Sequence, residues 1–137
     1  MHNRPAMRLG KSLTRIFRGF GTLAVFAAVV STAGCGGTDD RPAKWGYIYP
    51  AIIEPNCATA SCHSKFTARA GVDLGNIVDG YDTLLMRHFV IPSNTVDSGL
   101  LYLLRAQGAR RMPPDFPLPT VDVDLIEEWI MGGAMDN

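Results

Sequence analysis

The segment Cys57-Ala58-Thr59-Ala60-Ser61-Cys62-His63 constrains this chain most, because it sets two thiols and an imidazole within seven consecutive residues. Thiols this close are commonly tied to each other, to a metal or to a cofactor, and each choice pins the backbone on both sides. A histidine directly after the second thiol is what covalent haem attachment requires: two thioethers fix the macrocycle while the next side chain reaches its iron. The usual form is C-x-x-C-H, whereas four residues separate the cysteines here. A small Cys57–Cys62 disulfide loop with His63 incidental is the main competitor. A zinc site recruiting His88 is weaker, since adjacent Cys62 and His63 diverge on any regular backbone and no second cysteine pair exists.

The N-terminus bears on that choice. Arg4, Arg8, Lys11, Arg15 and Arg18 precede an uncharged run over 19–30, and Ser31-Thr32-Ala33-Gly34-Cys35 follows. A basic start, a short apolar stretch and small residues describe a secretory signal peptide; the run falls short of the ~20 residues of a transmembrane helix. Because the small residues end on Cys35, the pattern resembles a bacterial lipobox in which that cysteine is acylated. The expected organisation is a signal peptide over 1–34, a polar tether over 35–44 and one domain over 45–137. Export to the periplasm or cell envelope, with a lipid anchor in the membrane, is the expected location, and it is oxidising enough for a disulfide.

Without residues 1–34, eight basic side chains face all thirteen acidic ones, a formal charge of −5. Nucleic acid is excluded as a partner on this ground, because its binding depends on Lys and Arg neutralising phosphates. A partner steered by the net charge would present a basic face. A domain of ~100 residues has only a marginal core unless a cofactor, a disulfide or a partner adds to it.

Helical periodicity predicts an all-α domain. An aromatic and aliphatic cluster over 45–53 reads as a first helix delivering the cysteines, ended by Pro55. An irregular loop over 65–79 follows, with a scrap of extended chain over 72–74. A helix over 79–89 turns Tyr81, Leu84, Leu85 and His88 inward, and another over 99–107 starts at Asp97 or Ser98. A stiff proline-rich crossing leads to a last helix with Thr120 as N-cap, Asp122 and Asp124 in its first turn, and Gly132-Gly133 as its stop.

An iron held by His63 needs a sixth ligand. Met112 is the preferred one, a soft thioether followed by Pro113-Pro114, which would hold the loop extended. Met86, Met131 and Met135 are its rivals, and His88 would give bis-histidine ligation. Arg105, Arg110 and Arg111 are candidates to pair with haem propionates.

The order of these features resembles small class I c-type cytochromes. It matches the secreted branch in which the haem box is followed by a "V-x-P-G…S-x-L…MPP…W-I-x-x-G-A" succession. The match runs through Val90-Ile91-Pro92-Ser93, Ser98-Gly99-Leu100-Leu101, Arg111-Met112-Pro113-Pro114 and Trp129-Ile130 to Ala134. Ser93 or Asn94 stands where that family often has glycine, and the haem box is longer. The resemblance implies a cytochrome c-like fold of three to four short helices around one covalent haem c. It implies thioethers from Cys57 and Cys62, proximal His63 and distal Met112, with Trp129 brought near Tyr49 and Ile52. It also implies an electron carrier rather than an enzyme, exchanging electrons with redox partner proteins of the envelope alone or within a larger complex. The alternative classes are a disulfide-stabilised interaction lipoprotein and a haem sensor whose methionine dissociates.

Overall fold

Lys44 is the last extended residue before the chain turns helical at Trp45. The computed structural model describes residues 39–137, so the expected signal peptide over 1–34, Cys35 and the first part of the expected tether lie outside the described residues. From Trp45, α1 (Trp45–Ile48), a π-helical turn (Tyr49–Ile53) and α2 (Glu54–Cys57) run end to end. The predicted stop at Pro55 is not observed. Pro55 lies in the first turn of α2, directly after the wide π-turn, and that widening eases the clash of its ring with the carbonyl of Ala51. The helical run therefore carries on to Cys57.

Three further helices follow: α3 (Ile77–Met86), α4 (Gly99–Arg105) and α5 (Thr120–Met131). The described residues are all-α, and their only β pairing is an isolated bridge between Ile91 and Asn94. None of their helices is long and apolar enough to cross a membrane.

Local chemistry sets the helix ends. Asn76 caps α3 by accepting from the Val78 and Asp79 N–H groups at 3.0 and 2.9 Å. The helix starts earlier than periodicity predicts for that reason. It also ends earlier, because His88 takes a left-handed φ of 57° just beyond it and its N–H closes on the Leu85 carbonyl. Ser98 precedes α4 without capping it. Its buried hydroxyl instead accepts from the Ile91 N–H at 2.9 Å and donates to the Asn94 carbonyl at 2.6 Å, which pins the loop before α4. Pro119 occupies the N-cap of α5, one residue before the expected Thr120.

The core joins the 45–57 helical run to α3, α4 and α5. Trp45 and Trp129 stack with centroids 5.1 Å apart and planes at 24°, and Tyr49 and Tyr81 tilt against Trp45. Trp129 was expected beside Tyr49 and Ile52; its stacking partner is Trp45, one turn earlier on the same face. Every polar tip of this cluster donates to a backbone carbonyl: Trp45 to Ile77, Tyr49 to Leu74, Tyr81 to Ala134 and Trp129 to Met135, all at 2.8–2.9 Å. Gly80 lets α3 approach closely, since a Cβ there would stand 3.2 Å from the Tyr49 ring. Arg41 pairs with Asp39 and with Asp122 of α5, so the polar approach to α1 is held against the last helix.

Candidate functional site

Cys57 ends α2, and the next six residues close a compact loop. The Cys62 N–H bonds to the Thr59 carbonyl at 2.9 Å, and the His63 N–H bonds to the Cys57 carbonyl at 3.0 Å. In a C-x-x-C-H segment the histidine stands four residues after the first cysteine, the reach of one α-helical N–H···O=C bond. Here the same pairing of first cysteine with histidine is recovered across six residues. Thr59, Ala60 and Ser61 are extruded to the surface. The Thr67 hydroxyl, donating to the Ala60 carbonyl, fastens the extruded turn to the following loop. The Leu74 N–H then takes the His63 carbonyl at 2.7 Å, fixing the backbone on the far side of the imidazole.

The His63 ring is oriented by its own hydrogen bond. Nδ1 lies 3.2 Å from the Val72 carbonyl, which can only accept, so Nδ1 carries the proton. A neutral ring protonated there keeps its Nε2 lone pair for a metal, the arrangement typical of metal-ligating histidines.

Met112 comes from the loop that follows α4. Its N–H donates at 3.0 Å to the Leu103 carbonyl in the last turn of α4, which also accepts from the Ala106 N–H at 3.4 Å. The Arg111 guanidinium donates to the Pro113, Pro114 and Asp115 carbonyls at 3.3, 2.9 and 3.4 Å. Through these bonds the loop bends around its own arginine, where the two prolines alone predict an extended run. Met86, Met131 and Met135 are exposed. His88 is also exposed and sits beyond the end of α3, so its expected inward position is overturned by the left-handed turn that terminates that helix.

Two hollows of about 160 and 130 Å³ share Cys57, His63 and Met112 as lining residues. The outer one opens past Thr59, Ser61, Cys62, Arg69 and Asp115. The inner one is walled almost wholly by apolar side chains, among them Val72, Leu84, Phe89, Leu100 and Leu104. Both cysteines are free thiols and their settings differ. Burial, and then the nearby Cys62, push the Cys57 thiol up to about 11. Hydrogen bonds from Thr59 and Ser61 hold the Cys62 thiol below its ordinary value.

An imidazole nitrogen, a thioether sulfur and the Cys57 thiol line one apolar hollow, and the Cys62 thiol lines the other hollow, which shares those three residues: this donor chemistry suits haem c. No group of three or more His, Cys, Asp or Glu side chains converges among the described residues.

The arginines sort differently from expectation. Arg105 is committed to Glu127 at 2.6 Å and Asp124 at 3.6 Å, bracing α4 against α5. Arg110 donates to the Tyr102 hydroxyl at 3.0 Å, and Arg111 serves the Met112 loop. Arg69, which periodicity does not single out, lines the outer hollow. It lies in an irregular turn whose left-handed Ala68 and Ala70 leave no sequence pattern to read. No protein-family model, curated protein or solved structure matches this chain significantly.

Proposed function

We propose that this chain is an exported mono-haem c-type cytochrome with a cytochrome c-like fold, anchored through Cys35, which carries electrons in the cell envelope. One observation carries the reading: His63 and Met112 line the same apolar hollow beside Cys57, and the His63 proton is committed to Val72 so that Nε2 is free. Cys57 and Cys62 would hold the macrocycle through thioethers, and His63 and Met112 its iron. Bound there, a haem supplies a one-electron Fe(II)/Fe(III) couple.

The chain's own part is to orient, tune and exclude water. The Val72 carbonyl fixes the tautomer and orientation of the imidazole. The Leu103 carbonyl and the Arg111 guanidinium fix the backbone that presents the Met112 sulfur, a neutral ligand that favours ferrous iron and a higher potential. The apolar wall lowers the local dielectric, which disfavours the more highly charged ferric site. If His63 and Met112 both held the iron, no ligand position would be left for a substrate, and the chemistry supplied would be outer-sphere electron transfer.

The test is a pyridine haemochrome spectrum of protein expressed with a haem-attachment system. Covalent haem is expected, and haem-free protein from a competent host sinks the reading. In the haem-loaded protein, Met112→Ala is expected to abolish the methionine-to-iron charge-transfer band and lower the potential. An unchanged band transfers the distal role to another residue.

A further inference from the structure

Charge and apolar exposure are unevenly spread around the hollow. The loops that bear its two sides, residues 64–69 and 108–116, carry Lys65, Arg69, Arg110 and Arg111 against one carboxylate, Asp115. The other four cations of the described chain share it with twelve carboxylates. Pairing sharpens the contrast. Arg41 and Arg105, away from the hollow, are each bound to two carboxylates. Arg110 and Arg111 spend their donors on a phenol and on backbone carbonyls, neutral acceptors that leave the positive charge in place. Lys65 has only a loose 4.0 Å contact with Asp79, both groups exposed.

The same two loops carry the two most exposed phenylalanines among the described residues: Phe66 is 97% exposed and Phe116 80%. Phe66 stands between His63 and Arg69, and Phe116 directly follows Asp115 at the rim. Aromatic side chains held in water beside unneutralised arginines have the composition of an interface centre.

Resting on the cytochrome reading, we propose that these two loops form a docking surface for an acidic protein partner, in spite of the net negative charge of the mature chain. Local potential at the rim, not net charge, then steers encounter, and Phe66 and Phe116 supply the desolvated contact once the partner is seated. A basic partner, as net charge alone suggests, would be repelled at the point of electron exchange.

Two measurements on the mature, haem-loaded protein test this. The first is stopped-flow oxidation by hexacyanoferrate(III), an anion, and by tris(phenanthroline)cobalt(III), a cation. The anion's rate is expected to fall about threefold or more as salt rises from ~10 to ~300 mM, the cation's to rise, and Lys65→Gln with Arg110→Gln to flatten both trends. Opposite trends, following net charge, overturn the proposal. The second is amide chemical-shift mapping with polyglutamate, expected to perturb 64–69 and 108–116. Shifts centred elsewhere, or none, overturn it as well. Binding of the lipid-free Cys35→Ser chain to phosphatidylglycerol vesicles that is lost in Phe66→Ala with Phe116→Ala would assign the patch to a membrane and likewise overturn it. A haemochrome spectrum of the same sample separates the two layers: absent haem defeats the cytochrome reading itself, whereas haem with the wrong salt trend defeats only the docking surface.

Discussion

The aromatic side of this domain and the side around the hollow are built on opposite principles. Trp45, Tyr49, Tyr81 and Trp129 complete one another: rings pack on rings, and each polar tip finds a carbonyl. Around Cys57, His63 and Met112 the side chains are positioned mainly through backbone bonds, and apolar walls border open space instead of meeting. The lesson is that stability and chemistry are carried by different halves of one small core. Substitutions should therefore separate them.

The largest separation is expected at His63. His63→Ala should abolish covalent haem incorporation, read from the haemochrome spectrum, while the circular dichroism of the haem-free chain stays helical. Helix loss in that variant would show that the imidazole is structural, and the contrast between the two halves would collapse. On the other side, Trp129→Ala removes a fully packed ring and should cost about 3–5 kcal/mol in urea unfolding, whatever the haem content. Gly80→Ala comes next. Its Cβ would press on the Tyr49 ring at 3.2 Å, so the crowding should outweigh alanine's better helix propensity, giving a loss of about 1–2 kcal/mol. A stabilised Gly80→Ala would mean that the aromatic side is looser than its ring geometry implies.

The smallest effect belongs to the surface pair of Arg105 and Glu127. The Arg105 guanidinium lowers the Glu127 carboxyl below its ordinary 4.5, so its contribution is present above that value and is lost as pH falls through the depressed one. The pair is exposed, and the contribution is about 0.5 kcal/mol or less. Glu127→Gln should flatten the stability curve slightly between about pH 5 and pH 3 and leave neutral stability nearly unchanged.

How far the sequence could be read follows the same division. Helices α4 and α5 were legible because leucines at helical spacing, and Ile126, Trp129 and Ile130 beside a double-glycine stop, leave little choice. The extent of α3 was not, since Asn76 caps it through a side chain and His88 ends it in a left-handed turn, a conformation with no apolar period to announce it. Pro55 misled because one π-turn removed the clash that normally stops a helix. Met112, singled out by the prolines behind it, and His63, by its neighbouring thiols, do line one hollow. The Val72 carbonyl that orients the imidazole, and Arg69 at the rim, come from an irregular loop and emerge only in three dimensions.

The bond from His63 back to Cys57 has one more consequence. It uncouples the count of residues between the cysteines from the place where the imidazole stands, so the chain can change length at the extruded turn while the His63 side chain stays fixed. Under the proposed function, selection by a haem-attaching enzyme on the turn and selection on the surroundings of the iron would then act on different atoms. The Thr59–Ser61 stretch could drift while the hollow remains as it was.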